Sequence, residues 1–548
     1  MTHADLVFTN GPVWTGDAAR SWATAIAVRG GRITAVGHDE VRELVGPRTE
    51  LVDLHGRLLV PGFQDAHVHP VFAGLTMLSC DLASYETAEE YAAAIARYAA
   101  ANPDRPWITG GGWSFPAFPG GLPTREQLDT VVPDRPAYLT VRDAHSAWAN
   151  SRALEIAGIT RDTHDPVGGR IERDADGNPT GVLHEQAMAL VGDLAPHPTE
   201  DDLMRGLLAG QAHLHSLGIT AWQDAIVGAY GGWPDQLGTY LEAARTGVLT
   251  ARVRGALWWD RERGLEQIGD LLDRRAKGTV GRFTAGSVKI MQDGVPENFT
   301  AALSEPYLDG CGCVTSNRGL SMVDPELLRE AVVRLHAEGF QVHFHAIGDR
   351  AVTEVLDAVE AARAAGGCLD LRHHAAHLQV VDPRDLPRFR TLGVAANMQP
   401  LWAAHEQQMD EMCIPFLGEK RAAWQYPFGA LLREGAVLAA GSDWMVSSPD
   451  PMHGIHVAVN RTAPDADPTT PVFLPHQRLD LGSALAAYTA GSAYVNHLDG
   501  TGSIAVGKLA DLTVLDRNPF DGPAHEIAHT RALLTYVEGE RVHAAADA

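Results

Sequence analysis

Cysteine is scarce in this 548-residue chain: there are five, at 80, 311, 313, 368 and 413, scattered and odd in number. Such usage argues against a disulfide framework and suits a reducing compartment. Cys311 and Cys313 lie in the Gly-rich "DGCGCVTSN", with no second Cys/His pair nearby at finger spacing, so they read as a loop and not a metal knuckle. Positive charge is in deficit, with 44 Lys and Arg against 69 Asp and Glu and a formal net charge of -25. A surface of that sign repels nucleic acid and anionic membrane, so neither is expected as a partner. Long apolar runs are missing too, and none approaches a transmembrane helix. The first residues, "MTHADLVFTNG", hold neither a basic segment nor an apolar run. No signal peptide is therefore expected, and the expected location is the cytoplasm.

What remains is a globular composition, 45% hydrophobic and 21% charged. The length admits one large domain plus a smaller one, or three ordinary domains. Residues 1–60 alternate short β-like runs with Gly turns, and the same texture returns from 491 to 548 in "GSIAVGKLADLTVLDRNP" and "ALLTYVEGERV". The two ends are expected to build one composite β-sandwich domain, since the termini of compact domains often lie close together. Between them, 61–490 offers eight apolar runs that read as parallel strands: 60–69, 218–225, 251–259, 286–293, 340–346, 370–378, 393–399 and 436–443. Helical patterns at 201–216, 325–338, 350–365 and 385–391 lie among them. Eight strand–helix repeats predict an α/β fold, a (β/α)8 TIM barrel. Roughly 150 residues separate the first two strands, several times the ordinary connection. That segment, about 75–200, is read as an insertion standing over the catalytic end of the barrel.

The stretch "LLVPGFQDAHVHP" places His67 and His69 two apart at the end of the first strand, on one face. A plain pair of core or surface histidines is the alternative to a metal-binding pair. Other residues favour the metal. His345 ends the fifth strand, His377 the sixth and Asp443 the eighth, while Lys289 lies in the fourth. All six are at or near the end of a barrel where active sites form. Four imidazoles and a carboxylate converging there compose a binuclear metal site. An ammonium cannot ligate a metal, but a neutral Lys289 amine that has captured carbon dioxide offers an anionic, bridging carbamate. A salt bridge from Lys289 to Asp293 is the plain alternative.

These motifs resemble the amidohydrolase superfamily, and within it amidohydrolase family 3, the branch that includes N-substituted formamide deformylases. "PGFQDAHVHP" resembles the opening HxH, "VHFHAIGDRAV" and "GSDW" the later histidine and aspartate motifs, and "TAGSAYVNHLDGTGSIAVGKLADLTVLDRNP" the return into the small β-domain. The resemblance implies that His67, His69, Lys289, His345, His377 and Asp443 hold two divalent ions, zinc first among them, with carbamylated Lys289 bridging. It also implies that Asp443, Lys289, His345 and His377 serve catalysis. One departure stands out: family 3 usually has a glutamate just before the sixth-strand histidine, and this chain has Ala376 there.

The reaction this implies is metal-dependent hydrolysis of a carbon–nitrogen bond in an amide, formamide or cyclic amide, with N-substituted formamides the leading small-molecule substrates. A mononuclear deaminase, a non-hydrolytic lyase or isomerase, and an inactive scaffold are the rivals; the complete ligand set speaks against the last. A homo-oligomer is compatible with all of these. In the insertion, "RDAHSAWANSRALE" resembles a family segment near the substrate pocket, so His145 and Trp148 are candidate substrate contacts, joined by Trp113, Phe115 and Glu185. The aromatic content there favours an apolar N-substituent. His213 and His215 fall on a helix, where residues two apart diverge by about 200° and cannot chelate together. His343 is expected in the core or behind a ligand, and neither His373 nor His374 occupies a ligand position.

Overall fold

The computed structural model describes residues 3–548 other than 143, 144, 167, 231, 232 and 468. Eight short, almost wholly buried runs form one parallel sheet: β1 (Phe63–Val68), β2 (Ile219–Val227), β3 (Arg252–Trp258), β4 (Phe283–Met291), β5 (Gln341–Ala346), β6 (His374–His377), β7 (Ala395–Met398) and β8 (Leu438–Ala440). They pair in chain order, β1 to β8, each parallel to the next. Strands covered on both faces are mostly apolar, and the polar residues that interrupt them, such as Asp65, Gln223, Lys289 and His343, are themselves buried inside the barrel. The sheet curls into a nearly closed barrel. No ladder joins β8 to β1, but the Asp443 N–H donates to the His67 carbonyl at 2.7 Å and the His69 N–H to the Trp444 carbonyl at 2.7 Å. Gly441 permits this approach, because a Cβ there would lie 2.6 Å from the His67 nitrogen.

Helices pack around the strands where the 3.6-residue pattern places them. Glu200–Ser216 starts at a capping box between Thr199 and Asp202, and Pro325–Ala337 starts with Asp324 as N-cap and a proline in its first turn. Asp349–Gly366 follows β5 and buries Val352, Val355, Leu356 and Val359. Among the described residues no helix is long and apolar enough to cross a membrane.

The segment between β1 and β2 carries its own six-stranded sheet, from Cys80–Asp81 to Pro179–Glu185, around a core that includes Ile108, Leu128 and Leu139. Elsewhere, Leu512–Leu515 pairs antiparallel with Leu59–Pro61, so strands from the two ends of the chain share a sheet. A second sheet, built from Leu6–Thr9, Ala25–Arg29, Arg32–Gly37 and Glu50–Asp53, packs on it through Phe8, Ile26, Leu512 and Tyr536. The N-terminal floor of the barrel is tied to this β-unit by Arg252, which meets Asp511 at 2.9 Å and Glu538 at 2.8 Å.

Candidate metal centre

At the C-terminal mouth of the barrel the strands deliver a cluster of nitrogen and oxygen donors. β1 runs through His67 to His69; alternate residues share a face, and both rings enter the mouth. Among the described residues His67, His69 and Asp443 form the one group of three His, Cys, Asp or Glu side chains whose donor atoms lie within 4.8 Å of one another. Asp443 Oδ1 is 2.9 Å from His69 Nε2 and 3.3 Å from His67 Nε2, and Oδ2 is 3.8 Å from His377 Nδ1. The His377 ring lies 4.7 Å from that of His67 and 4.5 Å from that of His345. Lys289 Nζ is 3.5 Å from His67 Nε2. All six residues read as ligands are buried and face one cavity of about 120 Å³.

The backbone is bent to achieve this. His377 (φ 78°) and Asp443 (φ 54°) sit in the left-handed region, where a side chain is strained unless its surroundings hold it. Asp65, two residues before His67 in β1, accepts from the His67 N–H at 2.9 Å and from the Ser442 N–H and hydroxyl, locking the β8 end onto β1. Trp402 stacks on His377 at 5.3 Å with planes 10° apart, and where the family pattern has a carboxylate this chain has only buried Ala376.

Burial sets the electrostatics. It drives His67 down to about 3, with Lys289 adding to the effect, and it pushes His343, His374 and His377 well below the usual imidazole range. These rings are neutral, and of them His67 and His377 face the cavity as candidate ligands. Burial also lowers the Lys289 amine to about 7, only partly opposed by Asp443. For Asp443 burial alone would raise the carboxyl, but the imidazoles of His67 and His69 outweigh it and hold the group well below the carboxylate range. His69 Nδ1, His377 Nδ1 and Asp443 Oδ1 are buried without a hydrogen-bond partner. Neutral imidazoles, an ionised carboxylate and orphaned buried atoms are what a divalent cation fits.

Asp293 does not pair with Lys289. Its carboxylate accepts from His345 Nδ1 at 3.2 Å and from the Ala302, Ile347 and Gly348 N–H groups, so it orients His345 with Nε2 left for the cavity. Asp65 and Asp293 were not singled out as functional from sequence; the available signal was an acid two residues before a strand-end histidine and four after the buried lysine. His343 lies behind His67, with Nε2 2.9 Å from His67 Nδ1. His373 and His374 face away from the donor cluster, toward His336 and Gln223. His213 packs on Trp444 and His215 bonds to the Ile219 carbonyl.

The insertion contributes unevenly. His145 lines the cavity, and its Nδ1 lies 3.1 Å from Glu185, which also accepts from Asn298 at 3.2 Å. Glu185 thus reaches the cavity only through its contact with His145. Phe115 lines a second, outer chamber of about 630 Å³ that shares Val295, Ile347, Trp402 and Val446 with the inner cavity. Trp113 and Trp148 correct the expectation of pocket contacts. Both are buried in the core of the insertion and line neither chamber, their indoles donating to the Leu139 and Thr124 carbonyls, each at 2.9 Å.

Residues 50–543 match the model of the amidohydrolase family. The chain belongs to the amidohydrolase family. This family member is therefore a hydrolase acting on carbon–nitrogen bonds. It is 34% identical to Protein LONG AFTER FAR-RED 3 of Arabidopsis thaliana, over 98% of this chain and 92% of the relative. It is 29% identical to N-substituted formamide deformylase of Arthrobacter pascens, over 98% and 97% of the two chains. The fold is shared with an uncharacterized metal-dependent hydrolase of Pyrococcus horikoshii, with a TM-score of 0.74 at 26% identity, covering 95% of this chain and 99% of the other.

Proposed function

We propose that this amidohydrolase hydrolyses N-substituted amides with a small acyl group, formamides first, using two divalent ions, zinc foremost, at the barrel mouth. The observation that carries this reading is the pair of chambers: a cavity of about 120 Å³ at the donor cluster, sharing Trp402 and Val446 with one of about 630 Å³. A small inner space beside the cluster suits a short acyl end, and the larger space receives the nitrogen substituent. Inner-wall residues Phe72, Tyr230, Trp233 and Trp258 are aromatic, whereas the outer chamber adds Arg142, Glu297 and Glu406. The substituent is thus apolar near the nitrogen and polar at its far end, more mixed than the sequence suggested.

His67, His69, His345, His377 and Asp443 would hold the ions, which supply Lewis acidity and an acidified water when bound. The chain does the rest. Asp443 takes the proton of the attacking water and returns it to the departing nitrogen, which leaves readily only as an amine. His145, held by Glu185, orients the amide against the cluster. Lys289, a neutral amine above about pH 7, adds through its nitrogen to carbon dioxide and loses a proton, giving a carbamate that would offer the ions an anionic oxygen ligand. A second reading, a single-ion centre of His67, His69 and Asp443, is favoured by their being the one three-donor group within 4.8 Å among the described residues.

The test is a panel of formamides, N-acyl amines and cyclic amides on metal-reconstituted protein, with metal stoichiometry and product analysis in labelled water. Formamide turnover with label in the acid and two ions per chain is expected. Absence of label in the acid rules out hydrolysis, and full activity with one ion favours the second reading.

A further inference from the structure

Below the donor cluster a chain of polar side chains runs down the barrel axis, and its hydrogens admit one self-consistent order. Gln341 fixes the lower end. Its Nε2 lies 2.7 Å from the Arg372 carbonyl and 2.8 Å from the Val495 carbonyl, groups that only accept. Gln341 Oε1 therefore accepts, from the Ser287 hydroxyl and from Gln223 Nε2 at 3.2 Å. Gln223 Oε1 is left as an acceptor facing His343 Nδ1 at 2.8 Å and His374 Nε2 at 3.1 Å. A separate chain reaches the same answer from the other side. The His377 N–H donates to Gln399 Oε1 at 2.7 Å, so Gln399 Nε2 donates to Asn397 Oδ1 at 3.2 Å. Asn397 Nδ2 then donates to the Ala66 carbonyl and to His374 Nδ1, which leaves the His374 hydrogen on Nε2, aimed at Gln223. Two chains anchored on backbone groups meet at Gln223 and agree.

The consequence falls on His67. His343 is buried with no carboxylate bonded to it among the described residues, so it is neutral with one ring hydrogen, and that hydrogen is committed to Gln223. Its Nε2 is a lone pair, and His67 Nδ1, 2.9 Å away, must supply the hydrogen between them. His67 Nε2 is then bare, 3.3 Å from Asp443 Oδ1 and 3.5 Å from Lys289 Nζ. In this order His67 offers Asp443 no hydrogen, and a lone pair facing a carboxylate oxygen repels it unless a proton or a cation stands between them. We propose that the axial network of Gln341, Gln223 and His343 fixes His67 as the Nδ1–H tautomer, so that the barrel mouth is a cation receptor before any ion arrives. These three are positioning residues, acting through His67. Their functional meaning rests on His67 being a metal ligand, as proposed above; the hydrogen order does not.

Neutron diffraction from crystals of the deuterated, metal-free protein reads the tautomer directly. Deuterium on His67 Nδ1 and none on Nε2 is expected, and deuterium on Nε2 overturns the proposal. Zinc affinity by chelator competition gives the second readout. His343→Phe removes the acceptor, frees His67 to donate to Asp443, and should weaken zinc binding about 10- to 100-fold, the usual effect of losing an outer partner of a ligand. His343→Gln, whose Oε1 accepts from His67 and whose Nε2 donates to Gln223, should restore affinity to within about threefold of the natural protein. Equal weakening in both variants assigns His343 a packing role and overturns the proposal, as does zinc affinity unchanged in a folded His343→Phe. Undiminished zinc binding by His67→Ala would sink the ligand assignment alone, leaving the tautomer to the neutron map.

Discussion

The two ends of one barrel treat buried charge in opposite ways. At the floor Arg252 is clasped by Asp511 through two hydrogen bonds and by Glu538 at 2.8 Å, and Asp511 accepts a further bond from the Glu538 N–H. At the mouth Asp443 Oδ1, His69 Nδ1 and His377 Nδ1 are buried with their hydrogen-bonding capacity unmet. The floor is paired throughout, whereas the mouth keeps ligand atoms without partners, as the proposed metal centre requires. The same isosteric change, Asp to Asn, should therefore cost chiefly turnover at the mouth and chiefly stability at the floor.

At the mouth, Asp443→Asn removes the group assigned to move the proton. Turnover should fall by about 10²- to 10⁴-fold, with metal content measured in parallel. The metal-free variant should also lose some stability, because the ionised carboxyl, held well below the carboxylate range, favours the folded state. That loss should be less than a break at the floor, where the carboxylate clasps an arginine through two hydrogen bonds. At the floor, Asp511→Asn leaves Arg252 with Glu538 alone. It should destabilise the protein by about 3 kcal/mol, the lower end for breaking a buried pair, while kcat per folded molecule stays unchanged. If Asp443→Asn lowers the metal-free midpoint as much as Asp511→Asn does, the contrast between the ends is wrong.

The contrast also explains what could be read from sequence. All eight strands were legible because parallel strands buried on both faces are short and rich in apolar residues, and the histidines at or near the ends of some of them stand out against that background. The helix before β2, Glu200–Ser216, and the helix after β5, Asp349–Gly366, were legible from their periodicity. The axial network was not. Gln223, Gln341 and His343 gain their meaning from pairing across strands more than a hundred residues apart, and the sequence spacing carries no trace of it. Asp293 was read as a possible partner of Lys289 because it is near in sequence, yet the turn after β4 carries it to His345. The insertion tryptophans were misplaced for a related reason: a residue's membership of a motif near the pocket does not say which side of its strand faces it.

Between the extremes stands Glu185, which touches the cavity through His145. Glu185→Gln keeps the shape but loses the charge that holds the imidazole N–H, and kcat/KM should drop about 10- to 100-fold, as for other partners that orient an active-site group. Metal content should not change, which separates this variant from any at the donor cluster.

Lys289 sharpens the comparison through pH. Its ordinary value is 10.5, and burial brings it to about 7 in the folded protein. Between these two values the unfolded chain holds a proton that the folded metal-free protein does not, so unfolding takes up a proton and stability rises with pH across that window. Below about pH 7 both states are protonated and the contribution levels off at its most unfavourable. Lys289→Met should remove this slope, measured as midpoint against pH in the presence of chelator. The same neutral amine should gain the mass of one carbon dioxide in bicarbonate at pH 8 and not at pH 5.5. An identical slope in the variant would mean that another group carries the dependence.

The smallest effect is expected where the sequence pointed to the pocket and the structure does not. Trp148 is 2% exposed, donates to the Thr124 carbonyl at 2.9 Å, and packs edge-on against Phe118 and Trp113. Trp148→Phe keeps an aromatic ring in that cluster, and removes one hydrogen bond and part of the ring area. The Thr124 carbonyl loses its indole donor, so the hydrogen-bond component should be about 1 kcal/mol, with a further loss from imperfect packing of the smaller ring. Neither effect reaches the cavity, since Trp148 belongs to a core that the insertion encloses by itself. Steady-state kinetics on two substrates that differ only in the nitrogen substituent provide the check. Both should keep their kcat/KM and their ratio, while the midpoint falls. A changed ratio between the two substrates would return Trp148 to the substrate pocket and show that the insertion senses the substituent through its core.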